Sequence, residues 1–178
     1  MMKRLPYLLL AGLCLWADLA VSGPGCQPAH DEALRAINQL RSEPRVCGPA
    51  AAPAAVALAW DERLATVAAH HAQELAGRDR LDHVGASGAT LRTRLRGAGY
   101  LMRVAGENLA GGPETLEKAL AQWLASPAHC ENLMGPEFQQ VGLACVAGPG
   151  LLQRYWVLEL AAPAAARASP RSNPDQSP

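Results

Sequence analysis

The chain has 178 residues, of which 16 are basic and 16 acidic, so it carries no formal net charge at neutral pH. That balance excludes a nucleic acid or an anionic membrane surface as the partner indicated by composition, and the length suits one globular domain rather than two. At the N-terminus, Lys3 and Arg4 precede an apolar run from Leu5 to Trp16, followed by Asp18 and the small residues Ala20, Ser22 and Gly23. This order predicts a secretory signal segment over residues 1–22. The run is shorter than the ~20 residues of a membrane-crossing helix, so the exported chain is expected not to span a membrane once the segment is removed. A domain over residues 23–161 follows, and residues 162–178, with almost nothing to bury, are expected to form a disordered tail.

Cys14 falls in the signal segment, which leaves Cys26, Cys47, Cys130 and Cys145. Four cysteines in an exported chain favour two disulfides over a metal site, because no close C-x-x-C spacing is present. Three pairings are open. The local one, Cys26 with Cys47 and Cys130 with Cys145, is preferred because each bond brackets one stretch, and the second closes a loop of about 15 residues worth roughly 3 kcal/mol.

Asp31 is placed to cap a first helix that carries Leu34, Ile37 and Leu40 on one face and ends near Ser42, before Pro44. Residues 48–56 are rich in Ala and Pro and read as a loop. A second helix is expected from Asp61 to about Ala76, with Leu64, Val67, Ala68, His71 and Leu75 facing inward and Gly77 closing it. Leu91 and Leu95 predict a short helix over 90–98. Pro113 opens a clearer one, with Leu116, Leu120, Trp123 and Leu124 on one face and Ser126-Pro127 as its stop. Strands are predicted over 141–146 and 154–160, joined through Gly148-Pro149-Gly150. Helices early and strands late predict an α+β domain.

Three patches concentrate chemistry-bearing residues at expected loops or element boundaries: Asp82-His83-Val84-Gly85, Gly106-Glu107-Asn108-Leu109-Ala110, and Trp123 through Ser126-Pro127-Ala128-His129-Cys130. His83 and His129 with the carboxylate of Glu107 make a two-histidine, one-carboxylate set of the kind that binds zinc or another divalent ion. Simpler roles compete: Glu107 accepting backbone N–H groups in a tight loop, His70 and His71 as structural residues of the second helix, and Arg92, Arg94 and Arg96 as a solvated face. Ser126 lacks a G-x-S-x-G elbow, and Cys130 is expected to be oxidised, so neither makes a convincing nucleophile beside His129.

The ordered series of His83 to Gly88, Gly99-Tyr100, Gly106 to Ala110 and Trp123 to His129 resembles bacterial members of the CAP superfamily, which unites cysteine-rich secretory, antigen 5 and pathogenesis-related-1 proteins. The resemblance extends to Leu58, Trp60-Asp61, Asn132-Leu133-Met134, Pro136, Phe138 and Val141-Gly142. It implies a three-layer α/β/α sandwich in which His83, Glu107 and His129 line a ligand-binding cleft, with His83 and His129 as metal ligands. Two departures stand out: many relatives have a glutamate where this chain has Ser126, and their second histidine corresponds to Phe138. The expected function is therefore that of a secreted or periplasmic, non-enzymatic bacterial CAP domain that binds a divalent ion (zinc or calcium), a small molecule or a lipid. A metal-assisted protease or esterase using the same cleft, with Glu107 as base, and an envelope protein-interaction module are the alternatives.

Overall fold

Capping chemistry fixes where most helices begin. The computed structural model describes residues 25–165, so the expected signal segment and the tail beyond residue 165 lie outside the described residues. Helix α1 (His30–Arg41) begins at Ala29 without a side-chain cap, and Asp31, expected as the cap, sits in its first turn, where a carboxylate favours the helix dipole. Asp61 does cap α2 (Glu62–Arg78), accepting from the backbone N–H groups of Arg63 and Leu64. Thr90 caps α3 (Leu91–Gly97), and Thr115 caps α4 (Leu116–Leu124), so Pro113 lies outside the helix that sequence has it open. Ser126-Pro127 ends α4 and at once starts α5 (Pro127–Met134), a helix that sequence does not foretell because Pro127 reads equally as a stop and as a first-turn residue.

Helix α2 runs just past the expected closure at Gly77. Its C-terminal cap is Asp79, in the left-handed region at φ 46°. Aspartate tolerates that conformation, and here its carboxylate accepts from the N–H groups of Leu151 (2.7 Å) and Leu152 (3.1 Å) and from the Tyr155 hydroxyl. The far end of the helix is thereby tied to a distant turn.

The sheet has the order β3-β5-β6-β4, from β3 (Ala59–Trp60), β4 (Met102–Gly111), β5 (Gln140–Ala147) and β6 (Arg154–Pro163). The β3–β5 pair is parallel and the others are antiparallel. Helices α2 and α3 cover one face, burying Ala68, Leu75, Leu95 and Tyr100 against Leu109, Val157 and Ala161. On the other face α1, α4 and α5 pack Ile37, Leu120, Trp123 and Leu133 onto Trp156, Leu158 and Leu160. The result is the expected three-layer α/β/α arrangement. A separate hairpin of β1 (Arg45–Cys47) and β2 (Ala50–Ala52) occupies the stretch read as a loop.

Residues 102–111 form a strand that their sequence does not announce. Helices flank the sheet on both sides, so β4 shows no inside-outside alternation, and Gly, Glu and Asn have low strand propensity. Strand β6 in turn continues through Ala162 and Pro163, with Ala161 and Ala162 fully buried.

The disulfides join Cys26 to Cys145 and Cys47 to Cys130, which overturns the preferred local pairing. Residues near one another in sequence are here held apart by the layers, whereas the N-terminal segment lies along β5, with the Gln27 side chain accepting from the Cys145 N–H at 2.7 Å. Arg41 is fully buried at the end of α1 and donates to the carbonyls of Val56, Leu133 and Gly135, satisfying the exit of α5. Among the described residues no helix is long and apolar enough to cross a membrane.

The closest approach between layers is at Gly142 of β5. A Cβ there would stand 2.2 Å from the Ala65 nitrogen and 2.3 Å from the Leu64 carbonyl carbon. Because these are backbone atoms, α2 itself would have to move. Gly142→Ala is expected to lower stability by at least about 1–3 kcal/mol, measured by urea unfolding; an unchanged midpoint would show that the helix yields freely.

Candidate functional site

The site is built where β4, the 79–90 segment and the two helix layers meet. β4 is an edge strand, and its open side is covered by side chains of the neighbouring helices. Asn132 donates to the Glu107 carbonyl (3.3 Å) and to Asn108 Oδ1 (2.9 Å), the Asn108 amide donates to the His129 carbonyl (2.9 Å), and the Trp123 indole donates to the Leu109 carbonyl (2.9 Å). Gly106 is small because a Cβ there would lie 2.9 Å from the Phe138 ring. The Gly-Glu-Asn-Leu-Ala run is thus a docking strip for α4 and α5. It also aims Glu107 and Leu109 toward the opposite face, under α2 and α3.

His83 is positioned by loop hydrogen bonds. Asp82 accepts from the Val84 N–H (3.0 Å), Glu74 accepts from the Ala86 N–H, and Arg94 donates to the carbonyls of His83 (3.1 Å) and Ala89 (3.0 Å). The His83 Nδ1–H donates to Glu107 Oε1 at 2.7 Å, which leaves Nε2 as the nitrogen free for a ligand. Its side chain is 61% exposed, whereas that of Glu107 is 3% exposed. Behind them, Arg94 pairs with Glu107 Oε2, and His71 Nε2 lies 3.7 Å from that oxygen while donating to the Asp82 carbonyl at 2.9 Å. A second carboxyl, Glu159 on β6, completes the floor.

These contacts set the charge state. Burial alone would raise the Glu107 carboxyl, but the His83 hydrogen bond and the Arg94 charge, aided by Glu159 and His71, take it below the usual range. The same hydrogen bond holds the His83 imidazole above its ordinary value despite partial burial. His129 moves the other way, lowered by burial and by the nearby His83. The cleft therefore sets a histidine whose protonated form is favoured beside one whose neutral form is favoured. His83 and His129 share a cavity of about 160 Å³ with Leu81, Asp82 and Leu109.

Of the three expected site residues, Glu107 bonds His83, and His83 shares its cavity with His129. Both Glu107 oxygens are engaged, one by His83 and one by the Arg94 cation, and among the described residues no group of three His, Cys, Asp or Glu side chains is arranged to hold a metal ion. Ser126 stands at the start of α5 without a side-chain hydrogen bond to the helix, and Phe138 is buried in the core rather than lining the cleft.

A profile of the CAP, cysteine-rich secretory protein family matches residues 34–160. The chain belongs to the CAP family. Among curated relatives, the uncharacterized protein YkwD of Bacillus subtilis (strain 168) is 28% identical over 97 residues, 54% of this chain and 38% of that protein. Among solved structures, an outer surface protein of Borrelia burgdorferi superposes with a TM-score of 0.61 at 20% identity, covering 79% of this chain and 100% of that one. An extracellular SCP-domain protein of Bacillus anthracis str. Ames gives 0.57 at 23% identity, covering 79% of this chain and 45% of that one. The chain thus spans less than half the length of the Bacillus subtilis and Bacillus anthracis proteins.

Within the CAP fold, sequence reasoning misses three members of the cluster. It assigns Arg94 to a solvated face with Arg92 and Arg96, yet the Arg94 side chain is 9% exposed. The signal is there: Leu91 and Leu95 define the inner face of α3, and position 94 flanks it. His71 is placed correctly on the inner face of α2 but given only a structural role. Glu159, flanked by Leu158 and Leu160 in a strand buried on both faces, is not singled out at all.

Proposed function

We propose that this CAP domain is an exported, non-enzymatic binding protein whose His83–His129 cleft takes a small ligand with an anionic or strongly hydrogen-bond-accepting group. The observation that carries this reading is the His83–Glu107 contact: Glu107 holds the imidazole's inner proton, so the outer nitrogen faces the cleft as a charged donor. Leu81 and Leu109 add apolar walls, and about 160 Å³ admits a group of only a few heavy atoms. Export is supported by the signal-like N-terminus and by two disulfides, which persist in oxidising compartments.

A hydrolytic role is disfavoured by the same geometry. Glu107 is buried and neutralised by two cationic groups, which makes it a poor general base, and all four cysteines among the described residues are oxidised. A zinc or calcium ion would instead take the free Nε2 of His83 together with His129, with Glu107 holding the His83 ring from behind.

Thermal unfolding of the domain with a series of short-chain carboxylates, with zinc and with calcium tests the reading. The carboxylates are expected to raise the melting temperature, the gain corresponding to about 2.7 kcal/mol at a hundredfold excess over Kd, and His83→Ala abolishes it. Because binding needs the imidazolium, affinity is expected to fall as pH rises through the elevated His83 value. A shift with zinc or calcium alone would replace the anion reading with an ion site. No shift with any probe would favour a protein-interaction role.

A further inference from the structure

Glu107 and Glu159 are directly opposed in the β4–β6 register, so both carboxyl groups leave the same face of the sheet side by side. Glu159 is fully buried, and neither of its oxygens has a hydrogen-bond partner. The nearest cation is Arg94, whose Nη2 lies 3.8 Å away and is already bonded to Glu107. From α2, His71 points its Nε2–H at the Asp82 carbonyl and has Glu74 on its other nitrogen at 3.5 Å. From the 79–90 segment, His83 bonds Glu107 on the far side, and the Asp82 side chain is engaged by Arg80 and Arg78. One guanidinium therefore faces two carboxyl groups where water does not reach. Like charges this close in a low-dielectric site do not both ionise.

We propose that Glu159 is a buried carboxylic acid that keeps its proton beside Glu107 and so fixes the single negative charge of the pair on Glu107, opposite His83. Glu159 is then a positioning residue, acting on the cleft through Glu107. It brings a second carboxyl to the cluster from the sheet, on the side opposite α5, where Ser126 supplies none. The direction of its titration agrees, since burial and then the Glu107 charge push the Glu159 carboxyl well above its ordinary value. The inference rests on reading His83 as the ligand-facing group, but its test needs no ligand.

Infrared spectroscopy of the wild-type domain at neutral pH is expected to show the carbonyl stretch of one protonated carboxylic acid, absent from Glu159→Gln. NMR titration of His83 is the second readout. Glu159→Gln, which keeps a neutral donor beside Glu107, is expected to leave the His83 midpoint almost unchanged, while Glu107→Gln returns it toward the free-histidine value of ~6.5. The folded-state value of Glu159 is raised, so its contribution to stability is full below the unfolded carboxylate value and is lost as pH rises through the folded one. Glu159→Gln is therefore expected to flatten the alkaline loss of stability. Absence of the protonated-acid band in the wild type would overturn the proposal even if no variant folds, and so would a His83 midpoint that falls as far in Glu159→Gln as in Glu107→Gln.

Discussion

Replacing Arg94 by methionine is expected to destabilise the domain by about 3–5 kcal/mol, because it leaves the Glu107 charge buried without its guanidinium partner. The same side chain holds the His83 and Ala89 carbonyls, so the loop that carries His83 should loosen as well. Urea unfolding at neutral pH measures the loss, and Arg94→Lys separates charge from geometry: it keeps a cation but not the planar fork that reaches Glu107 and the loop together. The penalty should shrink in acid. Glu107 has a depressed folded value, so its stabilising contribution is present above the unfolded carboxylate value and disappears as pH falls through the folded one. A loss below about 1 kcal/mol at neutral pH would mean that solvent reaches Glu107, and the pre-set charge of the cleft would have to come from elsewhere.

Removing the Cys26–Cys145 bond by paired alanine substitution is expected to cost about 5 kcal/mol on the chain-entropy account, since the bond joins residues 119 apart in sequence. The local pairing expected from sequence would close much shorter loops and predicts a smaller loss. Cys47–Cys130 spans 83 residues and fastens the β1–β2 hairpin to α5, next to His129, so its loss should also disturb the cleft. Non-reducing peptide mapping decides the connectivity independently of energetics: a fragment linking Cys26 to Cys47 would refute the fold's pairing. If the paired alanine variant unfolded at the wild-type denaturant concentration, the N-terminal segment would be held by its packing and by the Gln27 hydrogen bonds alone.

The helices are legible because their signals are local. Asp61 and Thr90 cap where the sequence opens its helices, and the apolar faces of α2, α3 and α4 point where their spacing places them. β5 and β6 are legible from their apolar runs. β4 is not, since its residues form a strand only when β6 pairs on one side and Asn132 and Trp123 cover the other. The hairpin at 45–52 is hidden in an Ala- and Pro-rich stretch and is fastened from outside by Cys47.

By itself the sequence determined the α+β class and, through its ordered motif series, the family, because periodicity, capping residues and motif order are properties of the chain. The tertiary structure alone decided which cysteines pair and that Arg94, His71 and Glu159 stand behind Glu107. It also decided that the Glu107 carboxylate is engaged by both His83 and Arg94. Those outcomes depend on strand register and on which charges share a water-free volume, and both arise only when segments far apart in the chain are brought together.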